Sequence, residues 1–303
     1  MAHKASLPAA PETRRIGLQD WMAQVADLTG KVQHGWRAAD VHDLRTAIRR
    51  CRTMAEALSE VNPDPGWRKL KKATRKLFRS LGELRDTQVK LEWVKKLAVA
   101  ADPLRKDLKE SLERKMATQR EACRKTLGKF DSKEWRKLSK KLADKARFFP
   151  LESVVFQRLA LARLNEAETL YSLARKGRSR IGWHRLRLGL KHFRYTLENF
   201  LPQRGGAWLE DLKHLQDLLG EVHDLDMLRR QIWRHKTRVD VAHLERWLGL
   251  IETRRKRRLA EFMSKVSGSP SAWQSWRDGF RSVPTLQLVP ATAVATAAAQ
   301  SAS

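Results

Sequence analysis

Two stretches of this chain are copies of one another. VHDLRTAIRRCRTMAEAL at 41–58 aligns without gaps to WHRLRLGLKHFRYTLENF at 183–200, so His184 follows His42 by 142 residues. Downstream, RSLGELRDTQV at 79–89 aligns with DLLGEVHDLDM at 217–227, and Gly220 follows Gly82 by 138 residues. Two spacings that agree this closely show that the chain carries one longer unit twice. Whatever the unit folds into, it must fold that way twice and then pack copy against copy.

Nearly every segment places apolar residues three and four apart, and none alternates as a strand would. The chain is therefore expected to be all-α, each copy forming a small helical bundle and the two copies packing with pseudo-twofold symmetry. Proline and glycine punctuation at NPDPG (62–66), Asp102-Pro103, LGKFDS (127–132), FFP (148–150), KGRSRIG (176–182), LPQRGG (201–206) and SGSPS (267–271) divides it into about eight to ten helices. The expected boundaries are a disordered terminus at 1–11, a first bundle at about 12–148 and a second at about 150–280. An uncharged tail of low complexity at 281–303 is expected to be disordered.

The repeated stretch has two faces. With His42 at 0° on a helical wheel, Arg45, Arg49 and Arg52 fall at about 300°, 340° and 280°. Leu44, Ile48, Cys51, Ala55 and Leu58 gather between about 160° and 240°, which makes that side the core face. The second copy repeats the stripe as His184, Arg187, Lys191 and Arg194, and the core face as Leu186, Leu190, Phe193, Leu197 and Phe200. A solvated face needs only charge; a histidine and three cations at the same steps twice point to a binding surface. Arg50, about 80° to the other side of His42, is expected to be merely solvated.

The next helix of the unit carries Arg68, Lys72, Arg75 and Arg79 opposite Leu70, Leu77, Leu81 and Leu84. Gly82 lies near that basic side, where its missing side chain lets another helix or a phosphate approach. In the second copy Lys213 replaces Arg75, while Glu210 and Asp217 replace Lys72 and Arg79, so a ligand would be held asymmetrically. Asp86 and Asp224 are expected to orient neighbouring arginines through bidentate pairs rather than to bind metal.

Charge narrows the partners. There are 62 Lys and Arg against 34 Asp and Glu, a formal charge of +28, and such an excess calls for a polyanion: nucleic acid, anionic lipid or polyphosphate. Two cysteines, Cys51 and Cys123, allow no disulfide framework, and Cys51 falls on the core face. No apolar run suits a signal peptide or a membrane span, so a cytoplasmic protein is expected. Most of the 11 tryptophans, including Trp21, Trp93, Trp233 and Trp247, fall in apolar periodicity and are assigned to packing. Tyr195 is expected to buttress Arg194. Phosphate-loop, HExxH, GxSxG and ExExK signatures are absent, and no cofactor, metal or catalytic residue is expected.

With both motifs in view, the chain resembles the CHAD family, the conserved histidine α-helical domain, through HDLRTAIRRCR, HRLRLGLKHFRY, LGELRD and LGEVHD, over about residues 12–280. The resemblance implies two four-helix bundles related by pseudo-twofold symmetry around a basic central pore or groove, and a basic surface and pore that bind inorganic polyphosphate. It implies that His42, Arg45, Arg49 and Arg52 line the site from one half and His184, Arg187, Lys191 and Arg194 from the other. Lys72, Arg75, Arg79 and Lys213 occupy basic positions of the second helices. It further implies targeting to polyphosphate granules. Lys191-His192 stands where the family favours a run of strong cations. The expected function is non-enzymatic polyphosphate binding; a nucleic-acid-binding protein is the alternative, and a polyphosphate or triphosphate hydrolase the third.

Overall fold

A computed structural model describes residues 17–99, 101–234, 240–268, 271–281 and 283. The expected disordered terminus at 1–11, and all of the expected tail except Arg281 and Val283, lie outside the described residues. The first copy folds as α1 (Leu18–Gly35), α2 (Ala38–Val61), α3 (Pro65–Leu97), α4 (Pro103–Gly128) and α5 (Ser132–Ala146). The second folds as α6 (Val154–Gly177), α7 (Arg180–Phe200), a four-residue α8 (Pro202–Gly205), a 3-10 turn at Gly206–Trp208, α9 (Leu209–Trp233), α10 (Val241–Val266) and α11 (Ala272–Asp278). The described residues hold helices and no strand, as the periodicity requires.

The helix starts follow from local chemistry. Asp64 and Asp102 accept from the backbone N–H groups of Gly66 and Arg105, with Pro65 and Pro103 opening α3 and α4. Asp131 accepts from Lys133 and Glu134, Ser179 from Gly182, and Ser271 from Gln274. Each acceptor satisfies an N–H that has no partner inside its helix. α3 fills the interval between NPDPG and Asp102-Pro103: its 33 residues span about 50 Å.

Packing repeats in the same order. α1 pairs with α2, α2 with α3 and α3 with α4, while α5 folds back on α1; α6, α7, α9, α10 and α11 do the same. Across the copies, α2 meets α7 and α3 meets α9, each helix against its own counterpart. The expected core faces of α2 and α7 are buried throughout, and each leucine or phenylalanine there contributes about 1.5–3 kcal/mol. Trp233 departs from expectation: it is exposed at the end of α9, with the Arg229 guanidinium over its ring. Val283, assigned to the tail from sequence, is buried in the main core.

The apolar core does not divide at the boundary between copies. One cluster runs through both, from Met22 and Leu44 to Phe193 and Trp276. A second joins the far ends of the long hairpins: Leu91 and Val94 of α3 and Leu108 of α4 with Leu228 of α9 and Trp247 of α10. Between the clusters, α3 carries Arg85, Asp86, Thr87, Gln88 and Lys90, and α9 carries His223 and Asp224. This polar layer positions the site.

Asp102 fastens the second cluster across the copies. Fully buried, it caps α4, accepts 3.1 Å from Trp247 Nε1 and pairs with Arg246. Asp102→Ala should lower unfolding free energy by about 2–3 kcal/mol, read by urea denaturation, through the lost cap and the stranded indole N–H.

Candidate functional site

Because α2 packs on α7, the two repeated stripes face each other. The Arg45 guanidinium lies 5.1 Å from the centre of the Phe78 ring. It also occupies the space beside Gly82, where a Cβ would meet its Nε at 3.5 Å. Gly82 thus seats an arginine rather than a neighbouring helix, whereas Gly220 has open space beside it. Arg49 lies 5.3 Å from the Tyr195 ring centre and donates weakly to Thr46 Oγ1 at 3.4 Å. From α7, Arg187 and Lys191 come close enough to feel the charge of Arg45, and Lys191 that of Arg49 as well.

Asp86 and Asp224 offset these cations only from a distance. The Nε atoms of Arg45, Arg49 and Arg187 are buried without a hydrogen-bond partner. Among the described residues none of these three arginines, nor Lys191, makes an ion pair with a carboxylate. The four side chains are half-buried, and charge withdrawn from water without a partner carries a desolvation cost.

The titratable groups record the same field. Burial, reinforced by Arg187, Arg49 and Arg45, pushes the Lys191 ammonium down to about 6. Burial and the same class of neighbours lower His42 and His184 and push His223 down to about 3. His184 and His223 meet Nδ1 to Nδ1 at 3.1 Å, one donating and one accepting, with their rings stacked at 4.6 Å. Asp224 rises to about 6, chiefly through burial, with Asp86 adding and Arg187 and Lys191 opposing. The bidentate pairs expected of Asp86 and Asp224 are not formed: among the described residues neither carboxylate makes a hydrogen bond or ion pair. They act at longer range, as partial neutralisers of the layer.

Other expected site residues lie elsewhere. Arg52 is tied into α3, donating to the Lys71 carbonyl at 2.6 Å and to Thr74 Oγ1 at 3.2 Å. Arg194 is held by Glu198 at 2.5 Å and Gln216 at 3.1 Å. Lys72, Arg75 and Arg79 are exposed; the first two line a groove of about 470 Å³ between α3 and the end of α4, with Lys125 and Lys129 opposite. Lys213 is exposed on α9.

Two residues matter more than their sequence suggested. Arg50 is not solvated: it pairs with Glu198 of α7 and lies 5.6 Å from the Trp21 ring centre and 4.7 Å from that of Tyr195. Tyr195 serves Arg49 and Arg50 of the opposite copy as well as Arg194, at 6.0 Å. Its counterpart in the first copy is Thr53, so the repeat carries no signal for this role.

The CHAD domain family model matches residues 19–233, which takes in both basic stripes and both LG motifs. The chain belongs to the CHAD family. The crystal structure of the CHAD domain from the plant Ricinus communis superposes with a TM-score of 0.58 at 20% identity, covering 89% of this chain and 91% of that one. At that identity the likeness is one of fold. A search of curated protein sequences returned no match. The CHAD model match ends with α9, yet the structural likeness extends over most of the chain.

The layer has a measurable cost to this CHAD chain. In the unfolded chain Lys191 titrates near 10.5, and in the folded chain near 6. Between those values the unfolded state binds the extra proton, so stability rises with pH. Lys191→Met should raise unfolding free energy at neutral pH by about 1–3 kcal/mol and flatten that pH dependence, both measurable by urea titration at several pH values.

Proposed function

We propose that this CHAD chain binds inorganic polyphosphate in the polar layer between α2, α3, α7 and α9 and does not hydrolyse it. The observation that carries this reading is the set of buried, unpartnered guanidinium Nε atoms of Arg45, Arg49 and Arg187, contributed by both copies. Guanidinium forks match phosphate oxygens, and Lys191 adds a mobile point charge. His42 and Asp86 are exposed, so solvent reaches this end of the basic stripe. Once bound, polyphosphate would draw the chain to polyphosphate granules.

Among the described residues no three His, Cys, Asp or Glu side chains are grouped to hold a metal ion, and no helix is long and apolar enough to cross a membrane. The expectation is no phosphate release from polyphosphate with Mg²⁺ or Mn²⁺. Metal-dependent turnover lost in Asp86→Asn or Asp224→Asn would replace binding with hydrolysis.

Titration with long-chain polyphosphate at physiological salt tests the site. Arg49→Ala and Arg187→Ala should each weaken binding about 10- to 100-fold, the loss of a charge-assisted hydrogen bond. Lys72→Ala should matter far less. Preference for duplex DNA of equal charge in competition would overturn the assignment.

Binding should also take up protons. Phosphate beside Lys191 and His184 stabilises their charged forms and raises the lowered pKa values, so affinity should increase as pH falls from 8 to 6. Calorimetry in buffers of different ionisation enthalpy measures the uptake, and a flat profile would place both groups outside the ligand's reach.

A further inference from the structure

The connection between α5 and α6 presents apolar side chains to solvent in a way that nothing in the polyphosphate site explains. Phe148 is 83% exposed, Leu151 50%, Val155 46% and Val154 41%, all within eight residues. A soluble surface scatters such residues singly; a group of this kind marks an interaction surface. The segment is built rather than loose. Phe149 packs edge-on against Phe156 at 6.3 Å, and Phe156 stacks on Phe200 at 4.1 Å. Glu152 adopts a left-handed φ of 58°, a conformation that costs a non-glycine residue energy unless its surroundings impose it. Here they do: Glu152 N–H donates to the Phe200 carbonyl at 2.9 Å, and its carboxylate accepts from Gln203 N–H at 2.5 Å. The segment's one carboxylate is thereby used up within the fold.

The neighbouring charges are positive. α5 buries Trp135, Leu138 and Leu142 and turns Arg136, Lys137, Lys140 and Lys141 to solvent, with Arg147 exposed just beyond its end. Lys137 and Lys141 share a helix row, and Phe148 lies two residues beyond the end of α5. Glu134 and Asp144 are the acids on the exposed surface of α5, too few to balance it. Among the described residues the second copy has no equivalent: its counterpart α11 spans seven residues against fifteen in α5.

We propose that α5 and the segment from Phe148 to Val155 form a docking surface for an anionic lipid bilayer. The cations of α5 meet the headgroups, and Phe148, Leu151, Val154 and Val155 enter the boundary between headgroups and acyl chains. A basic helix beside an apolar wedge is the combination that interfacial binding uses, since charge and burial each supply part of the affinity. Charge complementarity selects this partner over an uncharged apolar surface. The surface is independent of the polyphosphate site, which lies in the interior layer.

Co-sedimentation of the full chain with vesicles tests it. The parent should pellet with phosphatidylcholine vesicles containing about 30% phosphatidylglycerol and stay in solution with phosphatidylcholine alone. Phe148→Ser with Val155→Ser should weaken vesicle partitioning at least tenfold, as should Lys137→Glu with Lys141→Glu. The serine variant should keep the parent's melting temperature and polyphosphate affinity, which shows that it is folded and that the two surfaces are separate. Equal vesicle binding by parent and serine variant would reduce the effect to net charge and overturn the proposal. So would a parent dimer, seen by light scattering, that the serine variant abolishes.

Discussion

Arg45, Arg49, Arg187 and Lys191 are held together in one layer without a partner carboxylate, and the rest of the structure answers that constraint. Like charges this close repel, and burial raises the penalty because the protein interior screens less than water. The apolar clusters on either side hold the layer closed: one spans both copies, and the other grips the far ends of α3, α4, α9 and α10.

Pairs that cross between the copies reinforce this. Glu198 of α7 takes both Arg50 of α2 and Arg194 of its own helix, and Glu60 of α2 takes Arg163 of α6. Asp102 of the first copy binds Trp247 and Arg246 of the second. Aromatic rings spread the remaining positive charge: Phe78 lies under Arg45 and Arg52, and Tyr195 under Arg49 and Arg50. The stripe cations therefore divide into two groups by partner. Arg52 and Arg194 are occupied by the fold, whereas the Nε atoms of Arg45, Arg49 and Arg187 have no partner.

That division bears on how such a site would work. A protein that stores unpaired cations gives up stability before its ligand arrives and regains it on binding, so affinity and fold stability are linked. Lys191, His184 and His223, all pushed toward their neutral forms by burial and by the arginines, reduce the stored charge near neutral pH. Asp224, half-buried beside them, trims it further.

The sequence by itself determined the helices, the two core faces and the membership of the two stripes, because each follows from a 3.6-residue period and local capping chemistry repeated twice. Asp64-Pro65, Asp102-Pro103 and Ser179 start helices wherever the chain then runs. Only the tertiary structure decided which cations are free. Arg49 and Arg52 look alike in sequence, but α3 brings Thr74 and the Lys71 carbonyl to Arg52 and nothing comparable to Arg49. Arg50, off the stripe and seemingly solvated, became a clamp because Glu198, Trp21 and Tyr195 converge on it from two other helices. Partners across a packed interface come from other helices, from 19 positions away for the Lys71 carbonyl on Arg52 to 148 for Glu198 on Arg50, and helical periodicity carries no record of them.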